Sequence, residues 1–147
     1  MTLDIKRVTS NDVTAVALLY DAYRSFYGKP SDLAAAFDFL EQRTSRNESV
    51  IFMAMLRGEA VGFVQLYPIF SSVQMKPALL LNDLYVVEHV RRQGVGEALL
   101  QQAKQFGKET TCAYLLLQTA ADNYRAQSVY EKSGWIRAED FFYEYPL

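Results

Sequence analysis

The stretch Val86-Val87-Glu88-His89-Val90-Arg91-Arg92-Gln93-Gly94-Val95-Gly96-Glu97-Ala98-Leu99-Leu100 decides how this chain is read. It grows out of an apolar run, Leu79-Leu80-Leu81-Asn82-Asp83-Leu84-Tyr85-Val86-Val87, whose continuity predicts a central strand. It ends in a segment whose apolar residues Val95, Ala98, Leu99, Ala103 and Phe106 mark one face of a helix over 94–108. Between strand and helix stand two arginines and two glycines. The first turn of a helix has N–H groups without internal partners, and the macrodipole adds partial positive charge, so an anion binds there readily. Gly94 and Gly96 let a ligand approach the backbone, and Arg91 and Arg92 add full charges, which suits a pyrophosphate better than a carboxylate. On spacing alone the same residues also read as a plain strand-to-helix turn with solvated arginines. Other phosphate motifs fit less well. A dinucleotide fingerprint wants Gly or Ala where Leu99 stands, and a P-loop wants a Gly-Lys-Ser/Thr that is absent.

Outward from this stretch, the pattern is a regular succession of elements. Leu3 to Val8 alternates like an opening strand, and Thr9-Ser10-Asn11-Asp12 supplies capping residues for a helix over 11–26. Gly28-Lys29-Pro30 ends it, and Ser31 is expected to cap a second helix through Leu33, Phe37 and Leu40. Val50 to Leu56 and Ala60 to Tyr67 flank Arg57-Gly58-Glu59 as a hairpin. Beyond the central helix, Ala113 to Thr119 reads as a buried strand and Asp122 to Ser133 as a helix closed by Gly134. The aromatic tail Phe141-Phe142-Tyr143-Glu144-Tyr145 reads as a final strand. The order βααβββαβαβ, with no repeat or low-complexity linker, predicts an α/β sandwich with a partly antiparallel sheet.

The bulk properties narrow the function. The 147 residues are half hydrophobic, enough for one core, so residues 1–147 are read as a single domain. A formal charge of −2 gives no general electrostatic reason to bind nucleic acid, and a basic acceptor suits the surface better. Cys112 is the one cysteine, which excludes an internal disulfide or a two-cysteine metal site, and no metal is expected. The opening residues lack the apolar run of a signal peptide, and no stretch reaches membrane-spanning length without polar interruption. A cytoplasmic protein without a membrane or nucleic-acid partner is expected.

Two motifs make the reading specific. Arg91-x-x-Gly94-x-Gly96 after a strand resembles motif A of the GNAT acetyltransferases, written there as Gln/Arg-x-x-Gly-x-Gly/Ala. Asn123-x-x-Ala126-x-x-Val129-Tyr130-Glu131-Lys132-x-Gly134-Trp135 is similar to the family's motif B and follows it in the right order. The resemblance covers the chain from about Leu3 to its end, although the two N-terminal helices match in type only. Asn82-Asp83-Leu84-Tyr85-Val86 and Asn123-Tyr124-Arg125-Ala126-Gln127 look most like the yeast histone and polyamine acetyltransferase group. The resemblance implies a GNAT-type three-layer fold and transfer of an acetyl group from acetyl-CoA to a primary amine by direct attack in a ternary complex. The acceptor would be a polyamine, another small amine or a protein lysine. A catalytically silent acetyl-CoA-binding module, used for sensing or assembly, is the competing class.

The resemblance also implies roles. The strand segment Leu84, Tyr85 and Val86 would be splayed from its neighbour and pair with the pantetheine arm, with the Val86 amide facing the thioester carbonyl. Arg92, Gln93, Gly94, Val95, Gly96 and Glu97 would wrap the pyrophosphate, with Arg91 assisting. Asn123 and Ala126 match positions that contact the cofactor, and Asn123 equally reads as a helix cap. Tyr130 matches the general acid that protonates the leaving sulfur, a phenol of pKa ~10 being suited to a thiolate. His89 reads as a surface loop residue, and Cys112 has no evident base for an acyl-cysteine route. Family members often pair through their late strands, so the aromatic tail implies a homodimer.

A base is harder to find. Positions where the family often places a carboxylate hold Leu80, Asn82 and Gln118. Asp83 is the one carboxylate in the central strand, but period-two alternation puts it on the opposite face from Asn82. The preferred reading is deprotonation through ordered water, with Asn82 or Gln118 orienting the amine; Asp83 as base is the alternative.

Overall fold

Alternating residues form β1 (Leu3–Arg7), and a single 3-10 turn at Ser10–Asp12 leads into α1 (Val13–Phe26). Thr9 and Asp12 close this entry as a capping box, with the Thr9 N–H donating to Asp12 Oδ2 at 2.8 Å. Lys6 Nζ donates to the other carboxylate oxygen at 2.8 Å, and this contact, more than the Thr9 bonds, holds the Asp12 carboxyl below its ordinary range. α2 spans Leu33–Ser45, and its cap corrects the expected one. Asp32 accepts from the Ala35 N–H at 3.1 Å. The Ser31 hydroxyl is taken by Asp21 of α1 at 2.6 Å, and the same carboxylate accepts the Asp32 N–H at 2.8 Å. One acidic residue on α1 thus sets where α2 begins.

β2 (Val50–Leu56) and β3 (Glu59–Ser71) make the expected hairpin. Arg57 and Gly58 lie at φ of 52° and 79°, the two-residue turn whose twist suits antiparallel strands. β3 and β4 (Lys76–Val86) run further than the apolar pattern shows, because a second hairpin closes between Ser71 and Lys76. Its turn contains no glycine; Met75 takes the positive φ of 54°. α3 (Val95–Glu109) and a short β5 (Leu115–Leu117) follow. The sheet order is β1-β2-β3-β4-β5, antiparallel throughout except for the parallel β4–β5 pair. This is the mixed sheet flanked by helices that the sequence implies. On one face Val13, Val16, Leu19 and Leu40 of the first two helices pack with Ile51, Met53 and Phe63. On the other, Phe106 of α3 meets Phe52 with ring centroids 5.6 Å apart.

The computed structural model describes residues 2–147, which form two compact units, one ending at Leu117 and the other spanning Gln118–Leu147. The second unit contains α4 (Tyr124–Lys132), closed as expected by Gly134 at φ 90°. The expected final strand does not form: residues 136–147 carry no helix or strand, and Phe141, Phe142, Tyr143 and Tyr145 are exposed. The observed order is therefore βααβββαβα. Aromatic residues favour a pleated surface only when a neighbouring strand supplies ladder hydrogen bonds and cross-strand contacts, and the tail has no ladder partner among the described residues.

Gly62 in β3 is required by close approach. A Cβ there would meet the Tyr85 carbonyl oxygen at 2.8 Å and Leu99 Cδ1 at 3.3 Å. Gly62→Ala is expected to destabilise the fold by about 1–3 kcal/mol, the usual cost of overpacking a core. Urea unfolding of both proteins measures the difference, and an unchanged midpoint would contradict the close contact.

Candidate active site

β4 is paired along β3 from Lys76 to Val86 at every position but Asn82, and along β5 at three positions only, Leu79, Leu80 and Leu81. From Asn82 to Val86 its second edge has no strand partner among the described residues. The antiparallel pattern tells which peptide groups face that edge. Val87 N–H donates to Val61 O at 2.9 Å, so the Val61/Val87 pair is hydrogen-bonded. The next pair, Gly62/Val86, is then of the wide type, and Val64/Leu84 repeats it. The N–H and C=O groups of Leu84 and Val86 therefore point away from β3 into the open edge. A ligand with an extended amide chain can add there as a strand.

The edge leads into the loop that the sequence singles out. Glu88–Val90 is one 3-10 turn with Val90 buried and His89 exposed. Arg91 Nε donates to Val86 O at 2.8 Å, and its guanidinium lies over Phe26 and Tyr85, 5.4 Å and 5.8 Å from the ring centroids. Arg91 thus ties the loop to β4 and α1. Arg92 and Gly94 both adopt positive φ, 67° and 84°. Gly94 is the N-cap of α3 and supplies no side chain to cap it. The first helical bond runs from Ala98 N–H to Gly94 O, so the N–H groups of Val95, Gly96 and Glu97 have no intrahelical acceptor. Arg92, Gln93 and Gly94 are exposed beside them. These are the parts of an anion site placed at the end of the open strand edge.

A second group of polar residues was only partly visible in the sequence. The β3–β4 register shifts between Gln65 and Leu66, so that Gln65 pairs with Asp83 and Leu66 with Leu81. Asn82 is the extra residue of this bulge. Asp83 and Asn82 are consequently not separated on opposite faces, as alternation implies: Asn82 Nδ2 lies 3.2 Å and 3.1 Å from the two Asp83 carboxylate oxygens. Gln65 Nε2 donates to Asp83 Oδ2 at 2.7 Å. Tyr20 and Tyr23 of α1 and Tyr67 of β3 face the same carboxylate. Burial first, then the Asp83 charge, raises all three phenols, Tyr67 up to about 12. The signal that could have found Gln65 and Tyr67 is the alternation Phe63, Gln65, Tyr67 in an otherwise apolar strand.

In the second unit, Asn123 caps α4, its Oδ1 accepting the Ala126 N–H at 3.2 Å. The cap leaves the Asn123 amide nitrogen as a donor. Tyr130 is half-buried on the same helix, its ring centroid 6.1 Å from that of Trp135. Cys112 is half-buried with its sulfur 3.3 Å from Thr110 Oγ1. Among the described residues no group of three or more His, Cys, Asp or Glu could hold a metal, and no helix is long and apolar enough to cross a membrane.

An open strand edge that ends at an uncapped helix N-terminus is a site for a ligand with an amide chain and an anionic end. Comparison with known proteins agrees. Residues 16–135 match the model of the acetyltransferase (GNAT) family. The chain is 44% identical over 133 residues to the uncharacterized N-acetyltransferase YhfO of Bacillus subtilis, covering 90% of this chain and 89% of the relative. It is 35% identical over 118 residues to a probable acetyltransferase of Haemophilus influenzae, covering 80% and 79%. A crystal structure of a probable acetyltransferase superposes with a TM-score of 0.93 at 41% identity, covering 98% of this chain and 97% of that one. The chain belongs to the GNAT acetyltransferase family, acyltransferases that draw the acetyl group from acetyl-CoA.

The loop assignment can be checked at Gly96. A Cβ added there would meet only Val86 Cγ2, at an ordinary 3.8 Å, so the fold has room for a side chain. Gly96→Val should remain folded yet lose coenzyme A binding by titration calorimetry, because the side chain blocks approach to the helix amides. Normal binding by a folded Gly96→Val protein would remove the pyrophosphate from this loop.

Proposed function

We propose that residues 1–147 act as one N-acetyltransferase domain that moves the acetyl group of acetyl-CoA onto a primary amine by direct attack in a ternary complex. The observation that carries this reading is the open edge of β4, with the Leu84 and Val86 peptide groups facing outward and the α3 amides at its end. Leu84, Tyr85 and Val86 hold the pantetheine arm as an added strand, and the Val86 N–H stabilises the oxyanion that develops on the thioester carbonyl. Arg92 to Glu97 take the pyrophosphate. The resemblance to motif B supports a cofactor-contacting role for Asn123 and Ala126.

Only the neutral amine attacks, so a proton leaves first. Ordered water carries it to more distant carboxylates, with Asn82 or Gln118 orienting the amine. The Asn82 Nδ2 is committed to Asp83, which leaves its Oδ1 to accept from the incoming nitrogen. The new C–N bond forms as the C–S bond breaks, and the Tyr130 hydroxyl gives its proton to the departing sulfur. The motifs around Asn82 and Asn123 resemble those of the yeast histone and polyamine acetyltransferase group and support a polyamine, another small amine or a protein lysine as acceptor, with the cytoplasm as the proposed working compartment.

Thiol release with a panel of amines tests the whole reading; coenzyme A binding without turnover on any amine would favour a silent binding module. Tyr130→Phe is expected to lower kcat by about 10²–10⁴-fold, the usual worth of a general acid, while coenzyme A affinity stays near that of the parent. An unaltered rate under chemistry-limited conditions would leave Tyr130 as packing. The exposed aromatic tail, Phe141, Phe142, Tyr143 and Tyr145, supports pairing of two copies through this segment. Sedimentation should show a dimer, and a monomer at high concentration would exclude it.

A further inference from the structure

Asp83 is a carboxylate at 6% exposure with no Lys or Arg in ion-pair contact among the described residues. Its partners are neutral donors, the Gln65 and Asn82 amides and the Tyr23 hydroxyl. The cations whose charge is felt by Tyr20 and Tyr67 are engaged elsewhere: Arg43 pairs with Glu48 at 3.0 Å, and Arg24 donates to Pro30 O at 3.5 Å. A buried anion without a countercharge is costly, and a bound cation relieves that cost.

Gln65 adds an independent observation. It is fully buried at 0% exposure, and its Oε1 has no hydrogen-bond partner. The amide cannot simply be turned over, because an ionised carboxylate accepts only and must receive the Nε2 donor. Oε1 is therefore an orphan acceptor on the same amide plane that contacts Asp83. One orphan acceptor and one uncompensated negative charge call for a ligand that donates and is positive. An ammonium group does both, having three donors and no acceptor. The side chains of Tyr20, Tyr23 and Tyr67 lie close enough to the carboxylate to feel its charge, and aromatic rings attract cations. A water would satisfy Gln65 but leave the charge.

The subsite adjoins the place of attack, since Asn82, proposed above to orient the reacting amine, reaches Asp83 through its Nδ2 at 3.1 Å. Asp83 sits on the sheet face covered by α1, paired with Gln65, whereas the Leu84 and Val86 peptide groups lie in the sheet plane at the open edge. We infer that Asp83 and Gln65, framed by Tyr20, Tyr23 and Tyr67, hold a second, non-reacting ammonium of the acceptor, so that the substrate class is a diamine or longer polyamine. This inference rests on the amine-acetylation reading above.

Steady-state kinetics with diaminobutane and butylamine, which differ in the second amine, test it. The parent should prefer diaminobutane in kcat/KM. Asp83→Asn should cut that preference by about 10–100-fold, the effect expected when a buried charged hydrogen bond to the ligand is lost, mainly through KM. Gln65→Met should cut it in the same direction, and serves if Asp83→Asn proves unfolded by thermal melting. An unchanged preference in the folded variants would leave Gln65 and Asp83 as a structural pair with a buried water and overturn the subsite. An equal fall of kcat for both amines, with rate restored at high pH, would make Asp83 the base and also overturn it. A parent protein that binds coenzyme A but acetylates neither amine nor any other would instead defeat the amine-acetylation reading.

Discussion

β4 is paired along β3 at every position but the bulged Asn82 and along β5 at three positions only, and the remaining features of the site follow from that asymmetry. A strand with an unpaired edge buried in a sheet would ordinarily be a liability, since its peptide groups need partners. Here β5 runs alongside only at Leu115–Leu117, and β4 continues past it to Val86. The peptide groups of Leu84 and Val86 are left facing outward, and Arg91 occupies one of them by donating to Val86 O. The same residue packs over Phe26 and Tyr85, so the loop that starts α3 is fixed to the strand whose edge it extends. The outward-facing peptide groups of the strand edge thereby lead into the helix amides that have no intrahelical acceptor.

The bulge at Asn82 is the second constraint. One extra residue in β4 turns Asn82 and Asp83 from opposite faces into neighbours and brings Gln65 opposite Asp83. A polar set of this kind inside an otherwise apolar sheet costs stability unless it is satisfied, and it is only partly satisfied. Sites where local rules are broken without internal compensation are where function is expected. The tyrosines that frame it come from α1 and β3, so the first helix is positioned by aromatic packing, Tyr20 and Tyr23 against Phe63, as well as by its apolar stripe.

Much of this fold is readable along the chain because the signals are local. Gly94 and Gly134 mark helix ends through the positive φ they adopt, Arg57-Gly58 marks the hairpin, and the apolar spacing of Val95, Leu99 and Ala103 marks the buried side of α3. The loop from Arg91 to Glu97 is legible for the same reason: strand, glycines and helix are adjacent in sequence. The second β3–β4 hairpin was not, since its turn uses Met75 rather than glycine at positive φ. The cap of α2 was displaced by Asp21, a residue ten positions from Ser31 that no local window connects to it.

What the sequence determined by itself is the order of elements through α4, the family and the glycine-containing turn from Arg91 to Glu97, because periodicity, turn chemistry and motif spacing are written within short windows. Tertiary structure decided the rest. That the tail from Phe141 stays out of the ladder depends on a partner strand and not on its own β propensity. That Asn82 meets Asp83 depends on where β3 slips by one residue against β4, and pairing register is a property of two strands together. That Gln65 faces a carboxylate, and that one oxygen of its amide is left without a donor, arises only when residues eighteen positions apart are brought side by side in the sheet.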